Sequence, residues 1–307
     1  MLPMSNKRNH QVISSDIAPV WTSATQFALC SAAAVLFAAC SVGVFAQTSS
    51  PAANKAVADE SISHPWISAS PRTAETYFTN LKDGAVIESP FVARFGLSMR
   101  GLVPAGKSAG RAGHHHLLIN QPLPLDFKKP LPFTDQYIHF GKGQMEKVVD
   151  LPPGKYELRL LLADQGHIPY FVYSKPLSVT VTKRNTATKP EEILGQPRIE
   201  LLGLTNGEAV RGPFRVQFHA SGYNVSDAST KMPDTGHFRL TLQHPGRKAE
   251  VLNFTSGQTE TWLNPPPGNY NMQLEFVSNT ASYPVVTTAK PLQISVSNSA
   301  PGQFGAL

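Results

Sequence analysis

The residues best able to do chemistry are histidines. His114, His115 and His116 are consecutive, between Gly113 and the apolar run Leu117-Leu118-Ile119. Side chains alternate along a strand, so His115 falls in line with Leu117 and Ile119 on one face. His114 and His116 then share the other face, roughly 7 Å apart from Cβ to Cβ, a spacing that lets two imidazoles converge on one ion. His139 sits in Tyr137-Ile138-His139-Phe140-Gly141, where Ile138 and Phe140 take the inward face and His139 the outward one. His167 follows in the turn Asp164-Gln165-Gly166-His167-Ile168-Pro169. Four neutral imidazoles, His114, His116, His139 and His167, with His115 and Asp164 in support, suit copper(II), zinc(II) or nickel(II). The lack of thiolates and the scarcity of nearby methionine argue against copper(I). The same residues also permit a metal-free reading, in which the rings cap a strand, hydrogen-bond loop backbone and pack at a sheet end. Their spacing matches no established zinc signature.

The elements that carry these residues read as strands. Phe91, Ala93 and Phe95 alternate with polar or small neighbours; Tyr156, Leu158, Leu160 and Leu162 alternate with Glu157 and Arg159; Leu177, Val179 and Val181 repeat the pattern. Asp-Gly, Asn-Gly and Pro-Pro-Gly turns punctuate them, and no helical stripe of useful length follows residue 47. The composition agrees: 41% hydrophobic residues, only 16% charged, 26 prolines and 22 glycines in 307 residues. This mix favours β-rich architecture with room for about two domains.

The chain also repeats itself. Asp83-Gly84 with Ser89-Pro90-Phe91 corresponds to Asn206-Gly207 with Gly212-Pro213-Phe214. Gly113-His114 corresponds to Gly236-His237, and Phe140 with Gly143-Gln144-Met145-Glu146 to Phe254 with Gly257-Gln258-Thr259-Glu260. Pro152-Pro153-Gly154-Lys155-Tyr156 corresponds to Pro266-Pro267-Gly268-Asn269-Tyr270, and Lys175-Pro176-Leu177 to Lys290-Pro291-Leu292. The offset is constant through the histidine run and then shifts, because the first copy has a longer loop around Leu123–Phe133. Ordered matches along two stretches of about 100 residues mark an internal duplication. The expected fold is all-β: two tandem immunoglobulin-like antiparallel β-sandwiches after an N-terminal signal segment. The expected divisions are a signal peptide over 1–46, a flexible tether over 47–72, a histidine-rich module over 73–183, a linker over 184–196, a degenerate second module over 197–298 and a loose tail over 299–307. The second copy has Phe238, Arg239 and Asn253 where the first has His115, His116 and His139. Gln144 and Glu146, also candidates for a supporting role at the site, recur as Gln258 and Glu260, which favours a structural job, for instance closing a turn.

The run Phe27–Ala46 is small or apolar, follows Lys7 and Arg8, and ends Val44-Phe45-Ala46 before Gln47, the pattern of a cleaved secretory signal. The expected location is a bacterial periplasm or the exterior. Two alternatives are an uncleaved anchor over residues 27–46, long enough to span a bilayer, and lipidation at Cys40 in Phe37-Ala38-Ala39-Cys40. Both cysteines, Cys30 and Cys40, fall in this segment, so a processed chain would have no disulfide, cysteine nucleophile or thiolate metal site. The net charge of +6 is scattered, with no basic stripe or interleaved aromatics, which argues against nucleic acid as a partner. Nucleophile elbow, phosphate-cradling loop, zinc-protease helix and paired carboxylates are all missing, so no enzyme is expected.

The runs Gly113-His114-His115-His116-Leu117-Leu118-Ile119, Ile138-His139-Phe140-Gly141-Lys142-Gly143-Gln144, Leu151-Pro152-Pro153-Gly154-Lys155 and His167-Ile168-Pro169 resemble those of an uncharacterised bacterial family, domain of unknown function 4399. The resemblance covers about residues 79–182, with Met145 where the family pattern has Thr, and a degenerate second copy follows. It implies an exported location and no biochemical role. The combined expectation is an exported, non-enzymatic binding protein of the cell envelope, with a histidine-rich site on the surface of its first module. The alternative is an envelope interaction protein that binds an unidentified partner and uses its histidines structurally.

Overall fold

The computed structural model describes residues 63–123 and 126–298. The expected signal peptide, Cys30, Cys40, the anchor alternative and the expected tail lie outside the described residues. Among the described residues, no helix is long and apolar enough to cross a membrane.

Residues 74–184 form one β-sandwich. Its larger sheet orders the strands Ala85–Ser89, Leu177–Arg184, Gly154–Ala163, His114–Ile119 and Tyr137–His139, with Pro169–Tyr173 also pairing to Gly154–Ala163. The facing sheet is Glu75–Phe78, Phe91–Ser98 and Glu146–Val149. Between them lie Phe95, Leu117, Phe140, Leu158 and Leu160, all essentially without solvent exposure. These are the residues picked out by period-two alternation, and removing one such aromatic would cost about 3–5 kcal/mol.

Residues 198–297 build a second sandwich on the same plan. Glu208–Arg211, Leu292–Ser297, Gly268–Ser278, Thr235–Gln243 and Asn224–Val225 form one sheet, with Glu250–Phe254 and Val285–Thr288 at its sides. Arg198–Leu202, Phe214–Ser221 and Glu260–Leu263 face it, and Phe218, Phe238 and Phe254 fill the core. Both sandwiches are immunoglobulin-like. The pairing is antiparallel except for Ala85–Ser89 against Leu177–Arg184, Glu208–Arg211 against Leu292–Ser297, and Asn224–Val225 against Thr235–Gln243. In the first two cases an early strand joins the sheet beside the last one after the Asp-Gly or Asn-Gly turn. The Pro-Pro-Gly strands are locked alike: Tyr156 donates its hydroxyl hydrogen to Pro152 O at 2.9 Å, and Tyr270 to Pro266 O at 2.7 Å.

The expected tether is corrected over its last residues. Ile67 and Ser68 pair with Leu263 and Trp262 of the second sandwich, and Trp66 packs edge-on against Tyr270. Two apolar side chains in an otherwise polar stretch are enough to pin it to a sheet edge.

The two sandwiches form one compact unit, joined by reciprocal contacts. Ser221 donates to Glu146 from the second copy, and Ser98 donates to Glu260 from the first, at 2.8 Å in the latter case. His219 and Arg94 also meet Glu146, while Tyr77 and Arg215 meet Glu260. The recurrence of this Glu in both copies thus reflects a junction between them, not a turn. Gln144 and Gln258 do close turns, accepting from Lys142 N and Ser256 N.

Candidate metal centre

Strand pairing assembles the histidines. His116 lies directly opposite His139 across the sheet, and His114 opposite Ala163, two residues before the turn that ends in His167. That turn is held by Asp164, whose Oδ1 accepts from Gly166 N at 2.8 Å and Ile168 N at 2.9 Å. The carboxylate is spent on backbone amides, and it orients His167 without joining the cluster. His167 itself adopts a left-handed φ of 64°, which turns its side chain back over the sheet.

One nitrogen from each of His114, His116, His139 and His167 lies within 4.8 Å of the other three. His114 Nε2 is 3.1 Å from His116 Nε2 and 3.1 Å from His167 Nδ1. A single imidazole nitrogen has one in-plane hydrogen or one lone pair, so it cannot serve both neighbours well. His139 Nε2 is buried with no hydrogen-bond partner among the described residues. Four nitrogens gathered this closely could hold one ion; tetrahedral zinc with about 2.05 Å bonds needs edges of about 3.3 Å.

Burial is where the structure departs from expectation. The site is not on the surface: His114 and His116 are 0% exposed, and only His139 and His167 are half-buried. The long loop peculiar to the first copy covers them. Leu131 donates its amide hydrogen to His167 O at 3.0 Å and packs with Leu118, Leu161 and Ala163 on the same outer sheet face. Phe133 presents an edge to both His139 and His167, with ring centres 5.3 and 4.8 Å away. Gly141 leaves room for the His139 ring, since a Cβ there would lie 2.3 Å from its Cε1. Leu131, Phe133 and Gly141 are site residues that the sequence reading missed. The longer loop was the available signal, but nothing in it says which sheet face it covers.

Burial first, then the neighbouring imidazoles, pushes His114 down to about 3 and His116 lower still. His139 is also lowered, first by burial and then by His167. These rings are held neutral, the form that binds metal. His115 does not belong with them. It points into the sandwich core, 1% exposed and against Phe95, with neither ring nitrogen partnered among the described residues; burial alone lowers it to about 3. Gln144 and Glu146 lie at the turn and the inter-sandwich junction, outside the cluster.

The sequence profile of the Domain of unknown function (DUF4399) matches residues 93–182 and again 216–297. No curated protein matches the chain significantly. Among solved structures, the fibronectin(III)-like modules of Clostridium thermocellum CbhA align over 76% of this chain and 99% of theirs, at 11% identity and a TM-score of 0.23. The FN1-FN3 domains of chicken CNTN1 align over 74% and 68%, at 11% identity and a TM-score of 0.22. A two-domain fibronectin type-III segment of chicken tenascin aligns over 72% and 97%, at 11% identity and a TM-score of 0.19. At such scores the strand order described above, and not the superposition, defines the fold.

Proposed function

The chain belongs to the DUF4399 family, with two copies of its domain, and from that premise we propose that it is a non-enzymatic binding protein of the bacterial envelope. In this reading its first sandwich takes up one divalent transition-metal ion, copper(II), zinc(II) or nickel(II), through His114, His116, His139 and His167. The carrying observation is the convergence of four imidazole nitrogens within 4.8 Å. The donor set supports it: all-nitrogen ligands favour these ions over the oxygen-seeking magnesium and calcium. Export is the location proposed, supported by the apolar N-terminal run and by cysteines confined to it. Titration of the full chain with zinc(II), copper(II) or nickel(II) near neutral pH tests the function. One equivalent should bind, and His116→Ala with His139→Ala should abolish uptake; no uptake, or uptake unchanged in that variant, refutes it.

A second reading has its own observation. The 3.1 Å contacts from His114 to His116 and His167 could be a metal-free hydrogen-bonded chain that braces an envelope interaction protein. It predicts that removing the histidines destabilises the chain as much in chelator as in metal.

A further inference from the structure

The second copy lacks most of these histidines, yet its backbone reaches the two segments that deliver histidines to the cluster. One is Gly101–Val103. Leu102 donates its amide hydrogen to Gly257 O at 2.9 Å, and Leu102 O accepts from Asp227 N at 2.9 Å; Gly101 pairs with Gln258. This segment holds the entry to the histidine strand: Gly113 N donates to Gly101 O at 3.1 Å, and Val103 N to Gly113 O at 2.8 Å. His114 is the next residue. The other segment is the turn after His139. Gly143 O accepts from Val225 N at 2.9 Å, and Gly141 O accepts from Ala105 N at 3.0 Å, which ties this turn to the first segment.

The approach is too close for side chains. A Cβ on Gly101 would lie 1.6 Å from Ser256 O, one on Gly143 2.1 Å from Val225 O, and one on Gly257 2.3 Å from Leu102 O. Gly143 and Gly257 also have φ of +89° and +73°, which other residues rarely adopt. Backbone packed against backbone at this range has no soft side chain to absorb a displacement, so the position of one copy is transmitted to the other.

We propose that the second copy is the positioning partner of the first: Val225, Asp227 and Gly257 fix the segments that place His114 and His139, and metal affinity depends on that junction. This rests on the metal reading above. The histidine-poor copy then has a task that requires no ligand of its own.

The test measures zinc(II) affinity of the full chain by chelator competition, with copper(II) paramagnetic resonance on the same samples. Gly101→Ala and Gly143→Ala should each weaken zinc binding by about tenfold and alter the copper spectrum; coupling through packed networks is typically worth about 0.5–2 kcal/mol, roughly two- to thirtyfold. Glu260→Gln loosens a different set of contacts between the copies, those to Tyr77, Ser98 and Arg215, and leaves the bonds of Val225, Asp227 and Gly257 to the histidine-bearing segments in place. It should lower urea stability while leaving zinc affinity within about twofold, which separates positioning from general loosening. If the glycine variants do not fold, Asp227→Ala decides. It frees the turn whose amide meets Leu102 O, because Asp227 Oδ1 accepts from Ser229 N at 2.8 Å and from Ser229 Oγ at 2.5 Å. It should weaken zinc about threefold. Wild-type zinc affinity in the folded glycine variants, or in Asp227→Ala, overturns the inference and leaves the metal reading intact. Failure of the wild-type chain to bind any of the three ions removes both.

Discussion

At equivalent places on the two outer sheet faces, the first copy has four imidazoles under a loop and the second has an Arg–Glu pair beside a buried His–Asn contact. Where His116 stands opposite Leu161, Arg239 stands opposite Glu275 and donates to it at 2.6 Å. His237, the counterpart of His114, is satisfied: its Nδ1 is 2.7 Å from Asn279 Oδ1, and Asn279 in turn donates to Ser226 O and Thr235 Oγ1. The connection after Thr235–Gln243 is short, and Tyr283 rather than a long loop lies edge-on over His237, with ring centres 5.8 Å apart. A buried polar group ordinarily finds a partner. The second copy obeys that rule with an amide and an ion pair, whereas the first leaves its ring nitrogens facing one another. The difference teaches that burial alone does not set the first copy apart: His237 is buried and its pKa lowered too, but it has an amide partner, whereas the first copy's rings meet one another beside Leu131 and Phe133.

The sharpest way to break this comparison is to convert one copy into the other. His116→Arg with His139→Asn, the residues of the second copy, should reduce zinc(II) affinity by well over about a hundredfold, more than loss of supporting groups around a metal ordinarily costs. Isothermal titration would show it. Retained binding would mean the cluster is not the site.

The next effect is on acid stability. An unfolded histidine titrates near 6.5, but folded His114 and His115 do so near 3, and His116 lower still. Below 6.5 the unfolded chain therefore takes up protons that the folded chain refuses. Stability is complete above that pH and falls on acidification until the folded values are reached. At pH 5 the metal-free chain should have lost up to about 2 kcal/mol per fully neutral imidazole relative to pH 7.5, readable as a lower urea midpoint. An unchanged midpoint would show the rings to be solvated.

A third prediction concerns His115, where the second copy has Phe238 against Phe218 and Phe276. His115→Phe removes two ring nitrogens that have no partner among the described residues from a core that already holds Phe95 and Phe140, and should raise stability by about 1–2 kcal/mol with metal uptake unchanged. A destabilised variant would reveal a hidden partner for this ring. Smallest is the shared feature: Tyr156→Phe and Tyr270→Phe should each cost about 1 kcal/mol, and nearly equally, because each deletes the same hydroxyl-to-carbonyl bond. Unequal losses would argue against a common scaffold.

Much of this was legible in the sequence. Alternation along Phe91–Phe95 and Tyr156–Leu162 is a direct image of the pleat, and the paired Pro-Pro-Gly-x-Tyr turns display the duplication without any structure. The side-by-side placement of His114 and His116 follows from the same periodicity. Burial of the rings was not legible, since it depends on where Leu131 and Phe133 land, and loop residues carry no periodicity. Nor was the part played by Glu146: a carboxylate that reaches His219 and Ser221 across a junction looks, in sequence, like any polar residue beside a Gly-Gln turn.

The Glu146–Ser221 and Glu260–Ser98 contacts have the form of an isologous handshake, in which each party gives and receives the same group. Two identical subunits could make it, but every substitution in one would then appear in the other. Tandem fusion lifts that constraint and sets the stoichiometry at one to one. One half can then carry the four imidazoles while its twin does not, giving an asymmetric molecule on a symmetric frame.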